Sequence, residues 1–156
     1  FKNSFLTIDT GYTQGYKKKS HKKSSGGRAH FYSRFNKKFL DKDEEKSNLE
    51  INLQKVSNDT YFKVYDISTT LVEKSQSVLE NSVDFKYQKK DFYLSLTPSV
   101  FEDITKSGNL RREYLLPIDI EKNIMSNENY GFLDVVTNLK IRNYDTNKQS
   151  NFLVNN

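Results

Sequence analysis

Apolar and polar residues exchange places at almost every step along most of this chain. From Leu6 to Thr13, Leu6, Ile8, Thr10 and Tyr12 fall on one side and Thr7, Asp9, Gly11 and Thr13 on the other. Arg28 to Phe39 repeats the scheme, with Ala29, Phe31, Ser33 and Phe35 opposed to Arg28, His30, Tyr32, Arg34 and Asn36. In Asn48 to Val56, Leu49, Ile51 and Leu53 alternate with Asn48, Glu50, Asn52 and Gln54. A side chain returning to the same face every second residue is the period of a strand with one dry and one wet face.

The second half continues in the same way. Val83, Phe85 and Tyr87 oppose Ser82, Asp84 and Lys86, and Phe92, Leu94, Leu96, Pro98 and Val100 alternate with Tyr93, Ser95, Thr97 and Ser99. Tyr114, Leu116, Ile118 and Ile120 follow, then Leu133, Val135, Thr137, Leu139 and Ile141 against Asp134, Asn138, Lys140 and Arg142, and a last partial strand after DTNKQS. The pattern predicts an all-β chain, an antiparallel up-and-down meander of about eight strands. No segment keeps a helical period over ten residues; ISTTLVEKSQSVLE comes closest, and its β-branched residues and missing cap argue against a helix. Pro98 and Pro117 fall inside predicted strands, where each removes a ladder donor, so a local bend is expected there.

The seams alternate in length. DKDEEK, QKKD and SNENYG are short, whereas KKKSHKKSSGG, Asn58 to Ser77, EDITKSGN and DTNKQS are mostly longer. Short turns on one side, long loops on the other, and strands near the roughly nine to eleven residues that cross a bilayer at a tilt are the outer-membrane barrel pattern. A soluble antiparallel sheet with one solvated face satisfies the same alternation, so both architectures stay open at this level.

Composition sharpens the choice. The chain is 35% hydrophobic with a mean hydropathy of −0.82, low for a packed globular core. Its apolar content sits in ten Tyr, eleven Phe and β-branched residues, with no Trp, and that favours strands. There is no cysteine, hence no disulfide or thiolate metal site, and no run long enough for a membrane-spanning helix. A chain that opens on Phe1 and stops inside an alternation at Asn151 to Asn156 is expected to be a piece of a longer one.

The net charge of +5 is local: without Lys17, Lys18, Lys19, Lys22 and Lys23 the chain has 20 basic against 20 acidic residues. That run, KKKSHKK, reads either as a solvated loop or as a patch for lipid phosphates. A nucleic-acid arm would need interleaved aromatics that the strands lack. His21 and His30 lie on different elements with no ligand-spaced partner, and no nucleophile has an adjacent base. No metal, no cofactor and no enzymatic activity are expected. Tyr12, Tyr16, Tyr61, Phe62, Tyr65, Tyr87, Tyr130 and Tyr144 cluster near strand ends, as an interfacial aromatic girdle would.

One segment carries more specific wording. Leu53, Val56, Ser57, Asn58, Asp59, Thr60, Tyr61, Phe62 and Asp66, in LQKVSNDTYFKVYD, resemble the strand-to-loop passage V-S-D-x-x-Y-F-x-D-F of the lipopolysaccharide-assembly outer-membrane family LptD, the organic solvent tolerance proteins. SSGGRAHFYSRFNKKF upstream and EYLLPIDIEKNIMSNENYGFLDVVTNLKIRNYDTN downstream resemble neighbouring passages of that family in the same order. The chain departs from the family at Asn58, where Asp is usual, and at Val64 to Asp66, where the second acidic residue is displaced.

The resemblance implies that residues 1–156 are part of a barrel of about 26 strands in the cell outer membrane. Such a barrel delivers lipopolysaccharide to the outer leaflet, with an LptE-like plug lipoprotein inside it and an LptA-like periplasmic bridge feeding it. On that reading Arg28, His30, Arg34, Asn36, Asn52 and Gln54 line the transport lumen, and the five lysines of the basic run contact lipopolysaccharide phosphates. The competing expectation is a soluble or surface-exposed β-sheet module that binds polysaccharide through Tyr and Phe. It requires Leu49, Ile51, Leu53, Leu133, Val135 and Leu139 to meet a second apolar layer.

Overall fold

The computed structural model describes residues 3–14, 27–57, 69, 71–72, 76–106, 108–145 and 150–155. In chain order the strands are β1 (Ser4–Thr13), β2 (Arg28–Lys42), β3 (Glu45–Val56), β4 (Val78–Lys89), β5 (Phe92–Leu96), β6 (Ser99–Asp103), β7 (Arg112–Asn127), β8 (Gly131–Asp145) and β9 (Ser150–Asn155). One turn of 3-10 helix, Gly108–Arg111, precedes β7. All strands join one antiparallel sheet in the order β1-β2-β3-β4-β5-β7-β8-β9, and β6 pairs with the same neighbours as β5. β5 and β6 are therefore two halves of one strand position, and the meander has eight positions. The sheet is open: β1 and β9 stand at its two ends.

The break between β5 and β6 has a local cause. Leu96 pairs with Ile118 and Ser99 with Leu115, so Pro98 and Pro117 fall in the two-residue gap between those pairs. Neither proline has an N–H to give. Val83 N still donates to Pro98 O at 3.0 Å, and Thr97 N donates to Pro117 O at 3.2 Å. The register is the same on both sides of the gap, so the prolines thin the ladder without shifting it. The sheet's irregularities of register lie elsewhere, between Lys38 and Leu40 on β2 and between Asn123 and Met125 on β7.

Tight turns occupy one end of the sheet: Asp43–Glu44, Lys90–Asp91 and Glu128–Tyr130. The longer connections lie at the other end. The DKDEEK seam shrinks to two turn residues, with Asp41 opposite Lys46 and Lys42 opposite Glu45 in the ladder. Lys90 adopts φ 44°, and its amide donates to Glu44 O at 2.9 Å while its ammonium sits 3.2 Å from Glu44 Oε2, docking one turn on the next.

Register places the alternating apolar sets of β1 to β8 on the same face. Leu49 pairs with Phe85, Phe85 with Leu96, Leu96 with Ile118 and Ile118 with Leu139, one unbroken apolar row across five strand positions. The opposite face carries Arg34, Asn36, Glu50, Asn52, Asp84, Lys86, Asp119 and Asn138. Among the described residues no second sheet covers either face.

Burial is correspondingly small and off-centre. Tyr32, Val56, Leu71, Val72, Leu79 and Ile104 form the hydrophobic cluster, at the end of the sheet with the long connections. Against these six, seventeen large hydrophobic side chains among the described residues are exposed, Leu6, Ile8, Leu53, Leu133 and Val135 included.

Candidate functional site

The two faces of the sheet form two candidate surfaces with different chemistry. On β3 and β7 the apolar face is bounded by charge. On β7, Arg112 and Lys122 bracket Tyr114, Leu116, Ile118 and Ile120; on β3, Glu45 and Lys55 bracket Ser47, Leu49, Ile51 and Leu53. Glu45 pairs with Lys89, Lys89 with Phe92 and Phe92 with Lys122, so the charges at the turn end lie in one row. At the other end Glu102 pairs with Arg112, and Lys55 Nζ lies 3.8 Å from Glu102 Oε2.

The distance between those rows is informative. Ten residues separate Arg112 from Lys122, and likewise Glu45 from Lys55. At about 3.4 Å per residue this is about 34 Å along the strand, or about 26 Å in height for strands tilted by about 40°. Tyr12 (72% exposed) and Tyr114 (48%) lie towards the long-connection end, and Tyr130 (82%) sits in a tight turn. Tyr87 lies near the turn end and donates its hydroxyl to Glu45 Oε1 at 2.7 Å. Of the other predicted girdle residues, Tyr16, Tyr61, Phe62 and Tyr65 and the side chain of Tyr144 lie outside the described residues.

The polar face gathers all six predicted wall residues, Arg28, His30, Arg34, Asn36, Asn52 and Gln54, on adjacent strands β2 and β3. Arg34 pairs with Asn52, and Asn36 pairs with Glu50. Asn36 Nδ2 donates to Glu50 Oε2 at 3.3 Å, and Arg34 Nε lies 3.8 Å from Glu50 Oε1. Charges elsewhere on this face are similarly matched: Lys86 Nζ donates to Asp84 Oδ2 at 2.8 Å and Arg142 Nε to Glu113 Oε1 at 2.6 Å. The result is a hydrophilic wall whose charges largely answer one another.

Two of the six do not face open space. His30 is 7% and Gln54 4% exposed, because the segment carrying Thr69, Leu71 and Val72 lies over this end of the polar face. Asp9 on β1 accepts a hydrogen bond from Thr69, Gln54 Nε2 donates to Leu71 O at 3.3 Å, and Leu71 and Val72 are buried in the hydrophobic cluster. The His30 ring stacks on Tyr32 with centroids 4.7 Å apart and brings Nε2 within 3.2 Å of Asp9 Oδ1. It also lies directly over Gly11, where a Cβ would meet the imidazole at 2.5 Å. A glycine inside a strand signals such a close approach, so Gly11 was the available clue to this packing.

Gln54 also replaces part of the ladder. Backbone pairing of β3 with β4 stops at Asn52 and Ser82. Beyond it, Gln54 N donates to Asn81 Oδ1 at 2.8 Å, Glu80 N donates to Gln54 Oε1 at 2.9 Å, and Asn52 Nδ2 donates to Glu80 O at 3.2 Å. Side-chain amides thus satisfy backbone groups where the strands part to admit the covering segment. Periodicity could place Gln54 on the polar face, but nothing in it announces this role.

Lys17, Lys18, Lys19, Lys22 and Lys23 lie outside the described residues, as do Asn58 to Asp66 of the segment that carries the family resemblance. Among the described residues no group of three His, Asp or Glu side chains could hold a metal ion. Comparison with family models, with curated proteins and with solved structures finds no match for this chain.

Proposed function

We propose that this sheet is part of the wall of a transmembrane β-barrel, with its apolar face towards lipid and its polar face towards a hydrated interior. One observation carries the reading: among the described residues an apolar face without a second layer, on which charged residues ten positions apart flank the apolar side chains of β3 and β7, a span that would match the roughly 25 Å apolar band of outer-membrane barrels for strands tilted by about 40°. Lipid offers no hydrogen bonds, so a spanning chain must satisfy its backbone within the sheet and turn apolar side chains outward. A polysaccharide-binding sandwich would cover Leu49, Ile51, Leu53 and Leu139 with a second layer, and the described residues hold one sheet.

Within that class, the proposed particular role is delivery of lipopolysaccharide to the outer leaflet, as part of an LptD-like barrel in the cell outer membrane. The support for this finer step is the resemblance of residues 53–66 and their flanks, together with a polar wall that a saccharide chain could pass. On this proposal an LptE-like lipoprotein fills the interior, an LptA-like bridge supplies the lipid, and the basic run 17–23 meets its phosphates.

Both steps are open to experiment with the full-length gene product in its own host. Recovery from the outer-membrane fraction with heat-modifiable gel mobility is the expected outcome for a barrel, and recovery in a soluble fraction would end that proposal. Depletion should then reduce lipopolysaccharide at the cell surface within a few generations. An unchanged surface level would retain the barrel and remove the transport role.

A further inference from the structure

The apolar face is not uniformly filled. Its central rows are built from long side chains, Leu49, Phe85, Leu96, Ile118 and Leu139. Where the prolines interrupt the ladder, the floor is made of shorter ones, Val83, Pro98 and Val100, while Leu53 stands on one side and Tyr114, Leu116 and Ile141 on the other. A groove of about 410 Å³ results, almost wholly apolar in lining and open to the surroundings of that face. Its size falls in the range of about 300–1,000 Å³ typical of small-molecule clefts.

The end of the groove nearest the long connections meets a charged cluster. Lys55, Glu102 and Arg112 are the next residues of this face on β3, β6 and β7 beyond Leu53, Val100 and Tyr114. Arg111 joins them from the 3-10 helix. Arg111 Nε donates to Glu102 Oε1 at 2.7 Å, Arg112 Nη2 lies 3.7 Å from the same oxygen, and Lys55 Nζ lies 3.8 Å from Oε2. Three cations thus share one carboxylate that is 5% exposed, while the side chains of Lys55 and Arg112 are 63% and 52% exposed. Lys55 and Arg112 are the more exposed of these cations, and Glu102 lies within ion-pair distance of both beside the groove.

We infer that this groove and its cationic rim bind one anionic phospholipid from the bilayer, an acyl chain in the groove and the negatively charged headgroup at Lys55 and Arg112. The occupant follows from charge complementarity joined to an apolar slot: a second protein layer would bury the exposed ammonium and guanidinium groups, whereas a lipid headgroup leaves them hydrated. The inference rests on the barrel reading and adds selectivity to it, because a plain boundary surface would not distinguish headgroups.

Residues 1–156 contain no cysteine, so Leu53→Cys at the groove and Leu94→Cys elsewhere on the band give single labelling positions once any cysteine elsewhere in the full-length protein is replaced by serine. Each variant of the full-length protein, in bilayers doped with brominated phosphatidylglycerol or brominated phosphatidylcholine, reports lipid contact through quenching of an attached fluorophore. The expected result is several-fold stronger quenching by the anionic lipid at position 53, equal quenching by both at position 94, and loss of the preference at 53 in Lys55→Gln/Arg112→Gln. Equal quenching by the two lipids at both positions overturns the binding site and leaves the barrel intact. Absence of quenching by either lipid at both positions overturns the barrel reading with it.

Discussion

The β2–β4 end of the sheet and the β7–β8 hairpin are written in the same alternating style but stabilised by different surroundings. Around β2–β4, the segment bearing Leu71 and Val72 covers the polar face over Tyr32 (1% exposed), and Leu79 (1%) is buried opposite Glu102 at the long-connection end of the other face. In β7–β8, Ile120, Leu133 and Val135 on the apolar side and Val136 on the other all stand open. The first region carries its own hydrophobic cover. The second has long, regular backbone pairing but little protein against its side chains, so its apolar residues gain only if the surrounding solvent is itself apolar. Alternation alone therefore specifies a two-faced ribbon, while the environment of each face determines what that ribbon contributes to stability.

Leu79→Ala is the largest single-site test of the contrast. Removing a fully buried leucine should cost about 2–5 kcal/mol in denaturant unfolding, whereas Leu133→Ala, half exposed, should cost well under about 1 kcal/mol in water. Comparable losses at the two sites would mean that β8 is covered in the folded protein.

Arginine on β8 interrogates the solvent directly. Leu139→Arg places a charge in the middle apolar row and should reduce folding stability in liposomes by about 2–4 kcal/mol, while the neighbouring Asn138→Arg, on the polar face, should cost about 1 kcal/mol or less. Equal effects would break the assignment of one face to lipid.

Gln54→Ala examines the covered region through its polar bonds. It strips the acceptor from Glu80 N and the donor from Leu71 O, and should cost about 1–3 kcal/mol, with faster hydrogen exchange confined to the Glu80 amide and the segment around Leu71. Unaltered exchange there would show that the segment is held by its apolar side chains alone.

The smallest effect is expected at Glu113→Gln on β7. Its ion pair with Arg142 is partly solvated, so the loss should lie within about 1 kcal/mol and shrink further at high salt. A loss as large as that of Gln54→Ala would mean that this end of the hairpin is far drier than it looks.

Much of the architecture could be read before any coordinates. The faces assigned to β1, β2, β3, β4 and β8 by parity are the faces found, because a period of two admits only one alternative. Strand ends were less legible: β7 continues to Asn127, well past Ile120, since pairing with β8 carries polar residues along that no hydrophobic pattern marks. The proline gap was foreseeable as missing donors, although its unshifted register was not. For the candidate wall, parity brought Arg28, His30, Arg34, Asn36, Asn52 and Gln54 together, but only packing revealed that His30 and Gln54 lie beneath the covering segment.

The sequence by itself determined that this chain is an antiparallel meander with one apolar and one polar face, because strand geometry turns alternation into sidedness without help from distant residues. The tertiary structure alone decided how those faces are used. Register between strands aligned the separate apolar sets on a single face, flanked by charge on β3 and β7, and long-range contacts folded one connection onto the polar face. Both depend on residues far apart in the chain, whose meeting is set by the competition among whole-sheet pairings, and no local pattern records its outcome.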